Sequence, residues 1–230
     1  MEPRQRWRLV VARSAEAPLA AQREIVEGWS AALEAAGLPL MDSAGTRSRA
    51  RLSFGAALPV GMVAERELID VVLAEQWPVW RVRDALVRNI PTGWRLVDLF
   101  DVWLAGPPLA GQVAAGDYRI ELERAPDPAV LIRAAAQLLA AGSIPRGRER
   151  GGRIVTYDLR PLVIDLAVEP GPPAVVRTRT RFHPELGTGR PEEVLAALAD
   201  LAGTELSARS IVRERLILAE DLGPPPVSEG

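Results

Sequence analysis

The stretch Tyr118-Arg119-Ile120-Glu121-Leu122-Glu123 alternates apolar and charged residues, which predicts a strand with one buried face. Between Pro128 and Ala141 the period changes to that of a helix, with Leu131, Ala135 and Leu138 on one side. A strand followed by a helix whose stripe can cover that strand is the basic unit of a layered α+β fold.

The first half of the chain follows the same order. Trp7, Leu9 and Val11 alternate with arginines and Val10, and residues 20–36 carry a helical stripe that ends at Gly37. Two more strands, a second helix and a closing strand follow in each half. We therefore predict that each half is a βαββαβ unit.

The predicted fold class is α+β, with two ferredoxin-like α/β sandwiches in tandem. We place the first repeat at residues 1–104, a linker rich in Pro, Gly and Ala at 105–116, the second repeat at 117–219 and a disordered tail at 220–230. The core residues expected in the first repeat are Trp29, Leu33, Leu52, Phe54 and Leu86. Those expected in the second are Ile120, Leu122, Leu131, Leu138, Leu195 and Leu198.

The composition excludes several kinds of chemistry. The chain has no cysteine and no lysine, so it offers no thiolate ligand, iron–sulfur ligation or Schiff-base lysine. With 28 basic and 30 acidic residues, net charge favours neither nucleic acid nor membrane as a partner. The N-terminal residues lack the apolar run of a signal peptide and no segment is apolar enough to span a bilayer, so we expect a cytoplasmic protein without membrane contact.

Arginines recur on the predicted third strand of the second half. Arg177, Arg179 and Arg181 share one face, while the residues between them share the other. This face either holds RNA phosphates or forms ion pairs with Glu121 and Glu123 on the neighbouring strand. We give the ion pairs precedence because the face has no aromatic residues on which bases could stack.

Two loops that follow the first helix of each half are also rich in arginine. One contains Arg47, Arg49 and Arg51; the other contains Arg146, Arg148, Arg150 and Arg153 between glycines. Guanidinium groups beside small residues suit phosphate binding, although a solvated hairpin loop explains each loop equally well. Together with the strand arginines, these residues are the candidate RNA-binding set.

No catalytic, metal or cofactor site is predicted. His183 is the single histidine, and its place before Pro184 at a strand end suits a capping role. No phosphate-binding loop, dinucleotide fingerprint or nucleophile elbow occurs in the sequence.

Several motifs together resemble the radical-SAM-linked proteins of unknown function, the DUF2344-like family. They are Arg51-Leu52-Ser53-Phe54-Gly55-Ala56-Ala57-Leu58-Pro59-Val60-Gly61, Leu68-Ile69-Asp70-Val71, Gly151-Gly152-Arg153, Asp158-Leu159-Arg160-Pro161 and Arg190-Pro191-Glu192-Glu193-Val194-Leu195. The resemblance implies a partner, since members of the family are often fused to or encoded beside a radical SAM protein. That partner would carry the iron–sulfur cluster, which this chain cannot ligate.

The chain departs from this family where members carry Gly-Phe-Asn-Pro-His-Pro, because it has Gly45-Thr46-Arg47-Ser48-Arg49-Ala50 instead. A more distant resemblance, in architecture, is to pseudouridine synthases that modify tRNA, which have an essential Asp after the first helix. Asp42 falls in the comparable region, but the Arg-Thr-Asp run of those enzymes is absent. We therefore expect Asp42 to have no catalytic role.

The leading hypothesis from the sequence is a non-catalytic accessory protein that binds RNA, such as tRNA, or presents it to a radical SAM partner. The rival hypothesis is a protein-interaction module whose arginines are structural. A pseudouridine-synthase-like enzyme is the third alternative.

Overall fold

The computed structural model describes residues 4–41, 52–124, 126–150 and 152–222, and for residues 149, 150 and 153 it describes the backbone only. The chain divides into two compact units, Met1–Val113 and Ala114–Gly230. Both units combine helices with a sheet, and every strand pair whose register is defined within them is antiparallel. The α+β class predicted from the sequence is confirmed.

The described residues of unit 1 form four strands and three helices. In chain order they are β1 (Gln5–Arg13), α1 (Gln22–Ala35), β2 (Leu52–Phe54), β3 (Val63–Leu73), α2 (Val79–Val87), β4 (Trp94–Val102) and the single-turn α3 (Leu109–Gln112). β1 pairs with both β3 and β4, and β2 pairs with β3, so the order across this sheet is β2-β3-β1-β4.

The core of unit 1 forms where α1 and α2 cover one face of this sheet. Trp29 and Leu33 of α1 and Leu86 of α2 are buried, as their helical spacing predicts. Leu52 and Phe54 of β2 are half-buried and pack against the same cluster. The expected core residues of this half are therefore confirmed, with the two on β2 at its margin.

In the part of unit 2 that the structure describes, there are seven strands and two α-helices. They are β5 (Val113–Leu122), α4 (Pro128–Ala140), β6 (Pro145–Arg150), β7 (Arg153–Asp158), β8 (Val163–Glu169), β9 (Val175–His183), β10 (Gly187–Thr188), α5 (Pro191–Ala202) and β11 (Ala208–Leu218). β9 pairs with β5 and β8 and with the short β10, so the main order is β8-β9-β5-β11. β6 and β7 form a separate two-stranded hairpin.

The core of unit 2 contains every residue that the sequence placed there. Its buried cluster joins the inward residues of β5 and β9 to the stripes of α4 and α5, and it includes Ile120, Leu122, Leu131, Leu138, Leu195 and Leu198. α4 begins where the Asp127 carboxylate accepts a 2.8 Å hydrogen bond from the Ala129 backbone N–H. α5 begins at Pro191, as predicted, and ends before Gly203, whose φ of 65° is left-handed.

The structure adds detail in three segments. The segment that contains Arg146 and Arg148, predicted as a loop, is a regular two-stranded hairpin whose residues pair in register from Pro145 with Asp158 onward. Residues 155–168 contain the end of β7, a 3-10 turn at Arg160–Leu162 and β8, since Pro161 has no N–H for a ladder. Within the expected linker 105–116 lie α3 and the first residues of β5.

Residues 219–221 at the start of the expected tail form a 3-10 turn, and residues 223–230 lie outside the described part of the chain. Within the described residues, no helix combines the length and the apolar character needed to cross a membrane.

Candidate functional site

The candidate arginines on β9 lie on the face of the sheet opposite the helices. Val176 belongs to the buried cluster under α4 and α5, and Thr178 and Thr180 are also buried. Arg177 and Arg179 alternate with these residues and make ion pairs on the other face. The predicted division of this strand into two faces is therefore confirmed for these residues, and we call Arg177, Arg179 and Arg181 the sheet-face arginines.

Carboxylates from three neighbouring strands bind two of the sheet-face arginines. The Arg177 guanidinium lies 2.6 Å from the Glu169 carboxylate of β8 and also donates a hydrogen bond to Glu214 of β11. Arg179 donates two hydrogen bonds to the Asp117 carboxylate of β5, at 2.7 and 3.1 Å. Arg181 makes no ion pair with any residue that the structure describes.

Asp117 connects β5 to both of its neighbours. Besides the two bonds from Arg179, its carboxylate accepts a 2.8 Å hydrogen bond from Arg215 of β11. Partial burial would raise the pKa of Asp117, but the hydrogen bonds from Arg179 and Arg215 outweigh it and hold the pKa below its usual value. The carboxylate is thus ionised at neutral pH and shared by two guanidinium groups.

Arg119 completes this network on β5. Its guanidinium lies 2.5 Å from the Glu121 carboxylate and 3.4 Å from Glu214. The sequence predicted Glu121 and Glu123 as the partners of the β9 arginines, whereas the acids that contact those arginines are Asp117, Glu169 and Glu214. Asp117 was missed even though it precedes Arg119 by two residues and therefore shares its face.

The arginines of the β6–β7 hairpin also contact the body of unit 2. Arg146 donates a 2.7 Å hydrogen bond to the Asp200 carboxylate on α5. The Arg148 guanidinium carbon lies 4.7 Å from the centre of the Tyr157 ring, and its terminal nitrogen lies 3.4 Å from the Thr188 carbonyl oxygen. These contacts fix one face of the hairpin against the α5 region.

Tyr157 of β7 carries a buried hydroxyl. Its hydroxyl is buried and has no hydrogen-bond partner among the described residues, and the same holds for the Nε atoms of Arg146 and Arg148. Burial, followed by the nearby Glu193 carboxylate, raises the pKa of Tyr157 against the opposing effect of Arg148. The phenol therefore stays neutral at physiological pH.

A second carboxylate that binds two arginines lies in unit 1, where no candidate site was predicted. Asp70 on β3 is 1% exposed, and it accepts hydrogen bonds from Arg8 at 2.8 and 3.0 Å and from Arg6 at 2.9 Å. Arg6 also donates to the carbonyl oxygens of Gly106 and Pro107, at 2.9 Å each. The cluster attaches the segment after β4 to the sheet.

Arg13 is a buried arginine that donates to carbonyl oxygens. It is 2% exposed, and its guanidinium donates to the carbonyl oxygens of Met62 at 2.9 Å and Pro18 at 2.8 Å. Burial lowers the pKa of Arg13. The same loop packs tightly against Gly93, where a Cβ atom would lie 2.3 Å from the Ala17 Cα atom. These contacts hold the connection between β1 and α1 in place.

The remaining candidates are of two kinds. Arg47, Arg49, Arg51 and Asp42 lie outside the described residues, and the side chains of Arg150 and Arg153 do too. His183 ends β9, and its Nδ1 atom accepts hydrogen bonds from the backbone N–H groups of Glu185 and Leu186, at 3.1 Å each. This is the capping role that the sequence predicted.

In the described part of the chain, no three His, Asp or Glu side chains are grouped to hold a metal ion.

Two solved structures resemble the chain at low similarity. One is titled "Crystal Structure of a Cbf5-Nop10-Gar1 Complex", with 13% identity, 90% of this chain and 49% of that chain covered, and a TM-score of 0.47. The other is the archaeal box H/ACA sRNP Nop10-Cbf5 complex, with 10% identity, 89% and 46% coverage and a TM-score of 0.39. The chain spans about half the length of both. At these scores neither likeness carries an argument about fold or function.

No curated protein matches the chain in sequence. The sequence model of a bacterial family matches residues 6–194, which is more than half of the chain. The chain therefore belongs to the bacterial family described as "Uncharacterized protein conserved in bacteria" (DUF2344).

Proposed function

We propose that the chain is a non-catalytic accessory protein that acts by binding another protein, and that Arg177 and Arg179 on its sheet face are structural. The observation that carries this proposal is the pairing of Arg177 and Arg179 with carboxylates from β5, β8 and β11. The partner we propose is the radical SAM protein that the family resemblance implies. That partner rests on the resemblance alone.

Charge balance supports structural arginines over an RNA-binding sheet. The network has four guanidinium groups and four carboxylates, so its formal charge is zero; its members are Arg119, Arg177, Arg179, Arg215, Asp117, Glu121, Glu169 and Glu214. RNA binding depends on net positive charge that displaces counterions from phosphates. A phosphate at this face would have to replace carboxylates that already accept these hydrogen bonds.

RNA binding through the β6–β7 hairpin is a second candidate function. Residues 145–158 contain four arginines and two acids, Glu149 and Asp158, which leaves an excess of two positive charges. Arg146 and Arg148 contact the body of unit 2, so Arg150 and Arg153 at the turn are the residues we would assign to phosphates. Arg47, Arg49 and Arg51 remain part of this RNA-binding proposal.

A tandem ferredoxin-like architecture is part of the same proposal. The strand orders β2-β3-β1-β4 in unit 1 and β8-β9-β5-β11 in unit 2 support it. In unit 1, β1 and β3 are central and β4 flanks β1; in unit 2, β5 and β9 are central and β11 flanks β5. The β6–β7 hairpin would then be an insertion between the first helix and second strand of the second repeat.

A titration with tRNA at two salt concentrations separates the two functions. We expect no change in tRNA affinity when Arg177 and Arg179 are replaced by Gln, because their guanidinium groups bind carboxylates. The matched control is Arg88→Gln/Arg133→Gln, which removes the same two positive charges at exposed positions outside the network. Affinity that falls steeply with salt and is lost in the Arg177→Gln/Arg179→Gln variant would contradict structural arginines.

The hairpin variant Arg150→Gln/Arg153→Gln tests the second candidate. If tRNA binds the wild-type chain with a steep salt dependence and this variant removes the binding, RNA binding through the hairpin replaces our proposal. If the purified radical SAM protein forms a complex with the wild-type chain while tRNA does not, the protein-binding proposal is supported. Uridine isomerisation that Asp42→Ala abolishes would instead make the chain an enzyme.

A further inference from the structure

The β4 strand is an edge of the unit 1 sheet in the part of the chain that the structure describes. Among the described strands, β4 pairs with β1 alone and ends the strand order. It is nine residues long, from Trp94 to Val102, which is longer than the typical strand of about five or six residues. The outer row of backbone N–H and C=O groups on such a strand can pair with a further strand.

Large apolar side chains surround this edge. Trp80 on α2 is 62% exposed, Val87 on the same helix is 59% exposed, and Trp103 directly after β4 is 75% exposed. Trp80 and Val87 are seven residues apart and therefore lie on one face of α2. Phe100 of β4 itself is 39% exposed. We call Trp80, Val87, Phe100 and Trp103 the edge apolar set.

Two contacts bring the exposed face of α2 beside β4. Arg83 lies between Trp80 and Val87 on that face, and its guanidinium is 3.8 Å from the Asp98 carboxylate of β4. Gln5 connects the start of α2 to the end of β4. Its side chain accepts a hydrogen bond from the Trp77 backbone N–H at 3.0 Å and donates one to Asp101 at 2.9 Å. The exposed face of α2 is thus adjacent to β4.

We infer that this edge is the docking site for an extended segment of the partner protein, which adds a strand to β4. The inference rests on the proposed function, because it specifies how the accessory protein binds its partner. Backbone hydrogen bonds to β4 supply the pairing, and the edge apolar set supplies the buried contacts on either side. Isolated apolar residues need no explanation, but a group around an unpaired strand edge does.

The charges on β4 define the segment that fits. Exposed Arg95 lies near the start of the strand, Asp98 at its middle and Asp101 near its end. A complementary segment carries an acidic residue opposite Arg95 and basic residues opposite the two aspartates.

A second copy of the chain fits this edge less well. The antiparallel register that pairs Arg95 with Asp101 of the other copy also places Asp98 opposite its own equivalent, and like charges directly opposite are destabilising.

The test measures the affinity of the purified radical SAM protein for the full-length chain and two matched variants. The edge variant is Trp80→Ser/Trp103→Ser, and the control is Leu19→Ser/Ile154→Ser, which replaces residues that are 78% and 79% exposed elsewhere. We expect the edge variant to lose at least about tenfold in affinity, because tryptophan truncation in an interface has among the largest effects. The control should stay within about twofold.

A charge-reversal pair tests the same surface independently of the aromatic residues. Asp98→Lys/Asp101→Lys should weaken the complex and slow its formation, whereas Glu205→Lys/Glu220→Lys, at exposed positions in unit 2, should not. All four variants change exposed or partly exposed side chains, so circular dichroism should match the wild type.

The outcomes of these binding measurements test the proposed function and the docking site separately. Absence of a complex with the wild-type chain would overturn both the proposed function and the docking site. A complex that both edge variants form with unchanged affinity would overturn the docking site alone. A dimer of the free chain that Trp80→Ser/Trp103→Ser dissociates would assign the edge to a second copy and contradict the inference.

Discussion

Asp70 and Asp117 make the same arrangement, one carboxylate between two arginines, in two different environments. In unit 1, the side chains of Asp70, Arg6 and Arg8 are 1%, 7% and 7% exposed. In unit 2, the side chain of Asp117 is 18% exposed, and those of Arg179 and Arg215 are 30% and 56% exposed. Because the two arrangements share their geometry, we expect burial to determine how much each cluster contributes to the free energy of unfolding.

The difference follows from desolvation. A buried charge that loses its partner cannot recover its hydration, so removing one member of a buried cluster is costly. Partners near the surface regain water and are screened by salt. We therefore expect Asp70 to be required for a stable unit 1. Asp117 should orient Arg179 and Arg215 but add little to the free energy of unfolding.

The largest expected effect is that of Asp70→Asn. This substitution keeps the shape of the side chain but leaves two guanidinium groups buried without a carboxylate. It should lower the free energy of unfolding by about 3–5 kcal/mol, the range for breaking a buried ion pair. Urea unfolding followed by tryptophan fluorescence measures the change. Losses of equal size in Asp70→Asn and Asp117→Asn would remove the distinction between the clusters.

Asp117→Asn should cost less, about 1 kcal/mol at pH 7. Because the folded-state pKa of Asp117 lies below its unfolded value, the stability it contributes is complete above the unfolded pKa, near 4. That contribution is lost as pH falls through the lower folded-state pKa. Urea midpoints of the wild type and the variant should therefore differ by a constant amount from pH 5 to 7 and converge below pH 4. If the difference between the two urea midpoints grew as the pH was lowered, the pKa of Asp117 would be raised by folding and not lowered.

The smallest expected effect is that of Tyr157→Phe in the hairpin. The Tyr157 hydroxyl is buried without a hydrogen-bond partner among the described residues, so its removal takes away no bond within that part of the chain. The ring that lies beside Arg148 is kept. We expect a change in stability between zero and a gain of about 1 kcal/mol. A clear loss of stability would show that the hydroxyl does have a partner.

Much of the fold could be predicted because periodicity reports directly on burial. The alternation of Arg177 and Arg179 with Val176 and Thr178 gave the correct faces of β9, and helical spacing gave Leu131 and the other core residues of α4 and α5. These signals are local, since every residue carries information about which side of its own strand or helix is covered.

The partners of the arginines could not be predicted in the same way. Whether Arg179 contacts Asp117 or Glu121 depends on the register between β5 and β9, which pairs Asp117 with Arg179 and Glu121 with Val175. Register between strands distant in sequence is set by the whole sheet. The burial of Arg6 and Arg8 was missed for a similar reason, because the segment that covers them follows β4, about 100 residues later.

The coupling energy between Asp117 and Arg179 tests the central claim, that Arg177 and Arg179 are structural, most directly. A double-mutant cycle with Asp117→Asn, Arg179→Gln and the double variant isolates this interaction from the other effects of each substitution. We predict a coupling of about 0.5–1 kcal/mol in the free energy of unfolding at low salt, decreasing as salt is added. Strictly additive single variants, with no coupling at either salt concentration, would contradict the account.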